Sequence, residues 1–409
     1  MKSRRASLGL LALLTATAGG SAGAAPRAGA PVAARPDVPS LPAVVPSAEA
    51  PKPAKPRGPS TLDASLERTA EKLLRGAKPV EGAIVALEPK TGRVLVFEAI
   101  GAGRTSADVL TQARMPAASL FKVVTTTALL ETTPVTPQDQ VCISGGMHGI
   151  ERRHLEPARG PSAECGRFAW ALGNSKNAVF AQLATKLLTR DDLLKTAERI
   201  GFNQKLPLDG GDEQAELGKL TVPYNDLEFA RAAAGFQGSS LSPIGAAYLM
   251  TLIARGGIPV GLRLHETTDE TGTSPLNPQA SPLFSARTAQ RLTRMLEVTV
   301  ETGTSRGAFT APDGKRYLPG IRVAGKTGTL RPEQSDDTMT SWFVGFAPSR
   351  NPEIVVSVML VNGHTYRRKA NELARDLLRT YFRAHGHAQS VTDPFAESVP
   401  EPLAAAQAQ

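Results

Sequence analysis

The chain has 409 residues, of which 41% are hydrophobic and only 5% aromatic, so it can bury a large core in one domain or two and is not a disordered protein. Its formal net charge is +9, but Lys2, Arg4 and Arg5 and a net three charges in the linker that follows account for most of it. No stripe of Lys and Arg interleaved with aromatics marks a nucleic-acid surface, and an anionic cell envelope is partner enough for the mild excess that remains.

Residues 1–24 have basic residues, then an apolar stretch from Leu8 to Ala18, then small residues ending in Ala22-Gly23-Ala24. That is the layout of a secretory signal peptide cut after Ala24, or of an uncleaved anchor extending through the small residues. No cysteine lies near the cleavage site, which excludes a lipoprotein. Residues 25–60 carry a proline every three or four positions and read as an extended, semi-rigid tether. No later stretch is long and apolar enough to cross a bilayer, so the expected location is the periplasm or cell envelope.

The folded domain is expected over 61–387, followed by a disordered tail over 388–409. "TLDASLERTAEKLLRGA" has apolar positions at helical spacing and predicts a first helix ending at Gly76. "GAIVALEPKTGRVLVFEAI" alternates on either side of Lys90-Thr91-Gly92 and predicts two strands joined by a turn. From Ser119 to about Thr302 the pattern is mainly helical, with a polar loop near 263–282. Past Gly320 it changes to strands in "IRVAGKTGTL", "TSWFVGFAP" and "EIVVSVMLVN", and a final amphipathic helix follows in "RKANELARDLLRTYFRAH". Strands therefore open and close the domain while helices fill its middle. This predicts an α/β (α+β) fold, one antiparallel sheet built from both ends, with terminal helices on one side and a helical lobe on the other.

Cys142 and Cys165 fit one disulfide in an oxidising compartment, worth about 3 kcal/mol in the chain-entropy model. His148 and His154 between them raise a zinc alternative, but the spacings match no compact ligand pattern.

In "PAASLFKVVTTTALLE" a serine and a lysine stand three positions apart on one face of an apolar helix. Pro116 is tolerated at a helix start, which places Ser119 in the first turns, where its backbone N–H has no earlier carbonyl partner and can donate to an anion. Lys122 would have to be neutral to take the proton of Ser119, and low-dielectric surroundings near another cation would make it so. Taken alone, the pair reads equally well as a small core residue beside a snorkelling lysine. Two further segments bear on the choice. "GNSKNAVF" puts Ser175 and Asn177 at a helix start, where such residues often serve only as caps. "VAGKTGTL" puts Lys326, Thr327, Gly328 and Thr329 in a strand, and glycine there leaves the backbone open to an extended peptide pairing along the edge. A turn or an edge-blocking lysine is the plain alternative.

Ser119-Leu-Phe-Lys122, Ser175-Lys-Asn177 and Lys326-Thr-Gly328, in that order, resemble the three motifs of the penicillin-binding proteins and serine β-lactamases. "GSSLSPIGAAYLMTLIARGG", "ETGTSRGAF" and "SWFVGFAP" are similar to stretches that flank those motifs in penicillin-binding transpeptidase domains, and the likeness runs over roughly residues 80 to 385. The resemblance implies a β-lactamase/transpeptidase-like fold and a serine D,D-transpeptidase that crosslinks peptidoglycan through an acyl-enzyme. It casts Ser119 as nucleophile on a D-Ala-D-Ala stem peptide, Lys122 as general base and Ser175 as proton relay to the leaving D-alanine. Asn177 would hold the substrate amide and Lys326 the positive field. Thr327 and Thr329 would hold the terminal carboxylate, and the N–H of Thr329 would be the second oxyanion donor. The implied partners are stem peptides, β-lactam antibiotics and cell-wall synthesis proteins; no cofactor or metal is called for.

Class A β-lactamases add a Glu-x-x-Leu-Asn segment, and "GGDEQAELGKLTV" has Glu213 and Glu216 without that pattern. Class D enzymes usually carry valine at the position of Asn177. Between tether and domain there is no room for a glycosyltransferase. A stand-alone transpeptidase is therefore expected first, a D,D-carboxypeptidase or slow β-lactamase next. A catalytically idle peptidoglycan-binding or β-lactam-sensing domain should have lost a catalytic residue, and none is missing.

Overall fold

The computed structural model describes residues 58–101, 103–209, 213–266, 280–331, 337–363 and 367–386. The signal segment, nearly all of the tether, most of the polar loop near 263–282 and the tail lie outside the described residues.

Helix α1 (Ala64–Ala77) starts at Asp63, whose carboxylate accepts the free N–H groups of Ser65 and Leu66. It runs through Gly76 and ends at Lys78, which takes a left-handed conformation (φ 49°) and donates its N–H to the Leu74 carbonyl. The expected stop at Gly76 falls short of the observed end, because a left-handed cap needs only a residue that tolerates αL and not glycine itself. Strands β1 (Glu81–Leu87) and β2 (Val94–Gly101) form the expected hairpin. Then follow α2 (Ser106–Thr111), the two-residue strand β3 (Met115–Pro116) and the apolar helix α3 (Phe121–Thr132). The middle of the chain supplies β4 (Gln140–Ile143), β5 (Glu164–Arg167), α4 (Phe168–Gly173), α5 (Asn177–Leu187), α6 (Arg190–Ile200), β6 (Lys205–Leu208), β7 (Glu213–Glu216) and β8 (Gly218–Leu220). It continues with α7 (Asp226–Ala233), β9 (Ser239–Leu241), α8 (Pro243–Ala254), α9 (Ala286–Glu301) and α10 (Arg306–Phe309). Strands β10 (Ala324–Leu330), β11 (Met339–Ala347) and β12 (Ile354–Asn362) and helix α11 (Ala370–Ala384) close the domain.

The main sheet has the order β10-β11-β12-β1-β2, and every neighbouring pair is antiparallel. Its central pairing joins the first strand to the last, with Ile84 opposite Val358 and Leu87 opposite Val355. Both faces are buried, so β1 and β12 read as unbroken apolar runs, yet the two-residue period still sorts their side chains. Ala83, Val85, Leu87, Val355, Met359 and Val361 face the core shared with α3 and the helical lobe. Ile84, Ala86, Val356, Val358 and Leu360 face a second core under α1 and α11. Leu74 of α1 and Leu377 of α11 are fully buried there, each worth roughly 1.5–3 kcal/mol in apolar area. This is the sheet of both ends, with terminal helices on one face and helices of the middle on the other, that the sequence pattern predicts.

The middle is less purely helical than expected. Small antiparallel sheets, β4 with β5, β6 with β7, and β3-β9-β8, are inserted between the helices. Each strand has two to four residues, too few for an alternating pattern to show against the helical background. Pro59 and Ser60, counted with the tether, already pack on the domain: the Pro59 carbonyl accepts the N–H of Glu266, and Ser60 bridges to His265.

Cys142 and Cys165 face each other across β4 and β5 with Cα atoms 4.1 Å apart, and their sulfurs are bonded. Replacing both by alanine should lower the unfolding free energy by about 3 kcal/mol, read by denaturant titration of the two proteins. An unchanged midpoint would mean that the hairpin is held without the cross-link.

Candidate active site

Ser119 lies in the first turn of the helical path, as expected, but Pro116 does not start that path. That proline belongs to β3, paired with Ser240, and the helical path begins only with a 3-10 turn at Ala118–Leu120 that runs into α3. Ala118, the residue before the serine, has φ +49°, a left-handed conformation that costs an alanine roughly 1–2 kcal/mol. The surroundings hold the turn in place. The indole Nε1 of Trp342 donates to the Pro116 carbonyl at 3.0 Å, and the N–H of Ala117 donates to the Ser239 carbonyl at 3.0 Å. Gly235 lies against the Ala118 carbonyl so closely that a Cβ there would stand 2.1 Å from the oxygen. Strain at one residue, enforced from several elements, presents the next side chain at a fixed angle.

Lys122, one turn along in α3, is fully buried. Its Nζ lies 2.6 Å from Ser119 Oγ, 2.7 Å from Asn177 Oδ1 and 3.5 Å from Ser175 Oγ. Ser175 occupies the turn between α4 and α5 at φ +57°, again left-handed. Asn177 opens α5 and does not cap it. Its Nδ2 donates to the carbonyls of Gly146 (3.2 Å) and Met147 (2.7 Å), which fixes the amide so that Oδ1 faces Lys122. Lys326, on β10, is also fully buried, and its Nζ donates to Ser175 Oγ at 3.1 Å and to the Thr327 carbonyl at 3.0 Å. Ser119, Lys122, Ser175, Asn177 and Lys326, from three distant parts of the sequence, thus meet in one place.

The two lysines are not equivalent. Burial pushes Lys326 down to about 7 from the usual lysine value. Lys122 is held well below its ordinary value, first by burial and then by the positive charge of Lys326. Both buried lysines are therefore biased toward the neutral amine, and the one that touches Ser119 is lowered by its neighbour's charge as well as by burial. A neutral Lys122 fits its contacts: an N–H donates to Asn177 Oδ1, and the lone pair is left for the hydroxyl of Ser119.

Thr327, Gly328 and Thr329 lie on β10, the end strand of the main sheet, beside Ser119. A Cβ built on Gly328 would meet Ala118, Leu120 and Trp342 at 3.4 Å, ordinary contact distance. Packing alone therefore does not strictly demand glycine at this point. Thr327 Oγ1 is 2.6 Å from Thr304 Oγ1. Thr304, in the loop after α9, is not singled out by the sequence reading, although it lies in the quoted stretch "ETGTSRGAF". Its N–H donates to the Gly173 carbonyl at 3.2 Å, and its neighbour Ser305 is buried and accepts from Asn371 of α11 at 3.1 Å.

The disulfide leaves Cys142 and Cys165 no thiolate to give a metal, so the zinc alternative falls. His154 accepts the N–H of Glu151 at Nδ1. Glu213 and Glu216, the candidates for a water-activating glutamate, lie on β7. Glu216 is taken up by the N–H of Ala113 at 2.9 Å and by Lys219 at 3.0 Å, a structural tie between β7 and the segment before β3.

Comparison with known proteins bears on the domain as a whole. The family model of the penicillin binding protein transpeptidase domain matches residues 82–379. The peptidoglycan D,D-transpeptidase PbpA of Mycobacterium tuberculosis is 26% identical over 321 residues, 70% of this chain and 62% of that protein, so the chain spans less than two thirds of that relative's length. Among solved structures, the transpeptidase domain of penicillin-binding protein 3 from Burkholderia pseudomallei matches with a TM-score of 0.63 and 25% identity, covering 80% of this chain and 96% of that one. A ceftriaxone acyl-enzyme complex of penicillin-binding protein A from M. tuberculosis shares the fold, with a TM-score of 0.61 and 21% identity over 80% of this chain and 79% of that one. The family match takes in the strands of both ends and everything between them, and the chain belongs to the penicillin-binding protein transpeptidase domain family.

Proposed function

We propose that this chain is a serine D,D-transpeptidase that crosslinks peptidoglycan. The observation that carries the reading is the 2.6 Å approach of Lys122 Nζ to Ser119 Oγ at a site where burial and the charge of Lys326 hold the amine well below its ordinary pKa. Ser119 Oγ attacks the carbonyl carbon between the two terminal D-alanines of a stem peptide, and its proton passes to Lys122 Nζ. The backbone N–H groups of Ser119 and Thr329 steady the oxyanion. As the C–N bond breaks, Ser175 hands a proton to the departing D-alanine amine and is replenished from the lysines on either side of it. Asn177 holds the substrate amide, and Thr327 and Thr329 hold the terminal carboxylate in the field of Lys326. The ester on Ser119 is then attacked by an amine of a second stem peptide, which loses a proton to Lys122, forms the crosslinking amide and frees the serine.

A β-lactam presents its ring carbonyl to the same serine and leaves a stable ester, the kind of adduct that ceftriaxone forms in the acyl-enzyme of the M. tuberculosis protein. Glu216 is committed to Ala113 and Lys219, which weighs against it as the activator of a deacylating water and favours transpeptidation over β-lactam turnover. Action on wall peptides fits export by the N-terminal segment to an oxidising compartment, where the disulfide persists. No described helix is long and apolar enough to cross a membrane.

Fluorescent penicillin should label the wild type for hours and Ser119→Ala not at all; a label that turns over in seconds would point to a β-lactamase. Incubation with donor and acceptor muropeptides should give dimers, whereas free D-alanine without dimers would indicate a carboxypeptidase. Lys122→Ala should slow acylation by about 10²–10⁴-fold, the usual weight of a general base. The acylation rate should rise with pH as Lys122 becomes neutral and fall again above about 7 as Lys326 loses its charge. Stopped-flow acylation across pH checks this, and a rate that keeps rising far past neutrality would remove Lys326 as the required cation.

A further inference from the structure

The loop Ser144–Met147 has two sides. On one, the carbonyls of Gly146 and Met147 hold Asn177 at the active site. On the other, Ser144 and Gly145 line a separate cleft of about 450 Å³ together with Arg153, His154, Glu156 and Arg159. A volume of this order accommodates a small ligand group.

The cleft is a built feature. Gln182, buried on α5, donates to the carbonyls of His154 (3.1 Å) and Glu156 (3.0 Å), and the N–H of Ala158 donates to the Cys142 carbonyl at 3.2 Å. The far wall is therefore fixed both to the helix that begins with Asn177 and to the disulfide hairpin. His154 is only 6% exposed. Because its Nδ1 accepts the Glu151 N–H, the ring carries its proton on Nε2, which lies 3.2 Å from where a Cβ of Gly145 would stand. Among the described residues nothing accepts that proton. Charges in the cleft are not balanced. Arg153 is paired with Glu151 and Glu156 with Lys186, while Arg159 makes no ion pair among the described residues. A ring N–H that opens on the cleft and an exposed guanidinium without an ion pair among the described residues, in one cavity, offer two donors to an anion.

We propose that this cleft is a subsite for a free carboxylate of a peptidoglycan stem peptide, bound by His154 Nε2–H and Arg159 while the peptide's reacting end lies at Ser119. The assignment rests on the proposed transpeptidase reading, since wall peptides are the carboxylate-bearing substrates of that reaction and the cleft shares the Ser144–Met147 loop with its active site. The site would discriminate stem peptides with a free carboxylate from those in which it is amidated.

The test uses calorimetric titration of the full chain with a wall pentapeptide that ends in D-Ala-D-Ala and carries a free glutamyl carboxylate, and with its carboxamide counterpart. His154→Asn keeps an acceptor for the Glu151 N–H and deletes the Nε2 donor; Arg159→Gln removes a charge without touching the core. The wild type should bind the carboxylate peptide roughly tenfold more tightly than the amide, and each variant should lose most of that preference while its penicillin acylation stays within about twofold of wild type. Equal binding of the two peptides by the wild type, or a preference that survives in both variants, would overturn the subsite. So would saturable binding of inorganic phosphate without any carboxylate preference, which would mark a phosphate site. Absence of a penicillin adduct on the wild type would instead overturn the proposed acyl transfer, and the peptide comparison would still be read by itself.

Discussion

Two ammonium groups crowd one hydroxyl. Lys122 and Lys326 both reach Ser175 inside the protein, where no water screens one charge from the other. Holding both charged would cost several kcal/mol, and the arrangement relieves that cost by letting one proton go. Burial and the mutual repulsion of the two lysines lower Lys122 well below its ordinary value, and Asn177 offers an acceptor that suits an amine as well as an ammonium. Two identical side chains can thus differ in protonation through their neighbours alone.

Everything else in the domain keeps these groups in register. Ser119 comes from a strained turn ahead of α3, Ser175 from a left-handed turn ahead of α5, and Lys326 from the end strand of the sheet. The backbone that carries each of the three is held by contacts with other elements. Thr304 is the clearest tie: its loop joins the Gly173 carbonyl, two residues before Ser175, to the Thr327 hydroxyl, and Ser305 anchors the same loop to Asn371 of the last helix. The placement of β10 at the sheet's end follows from the chain's two ends filling the sheet's centre, and it leaves a backbone edge beside Ser119 for an extended peptide.

Much of this was legible in the sequence. The apolar runs of β1, β11 and β12 and the amphipathic spacing of α1 and α11 announce a sheet of both ends with helices on its faces, and the three short motifs name the residues that meet. What was hidden is of another kind. The strained φ angles of Ala118 and Ser175 are forced on residues that do not prefer them, so no propensity reveals them. Thr304 acts through a contact with Thr327 across 23 positions, and no local pattern marks such a pair. The strands β4 to β9 are too short to carry a period, and Pro116 reads equally well as a helix start or as the edge-strand residue it is.

The pairing of β1 with β12 also governs when the molecule can exist. A polypeptide that emerges amino end first produces β1 early and must then wait through nearly the whole domain for the strand that completes the sheet's centre. Until that strand arrives Lys326 has no platform, and the early hairpin keeps one flank unsatisfied. Such long-range closure makes assembly slow and late.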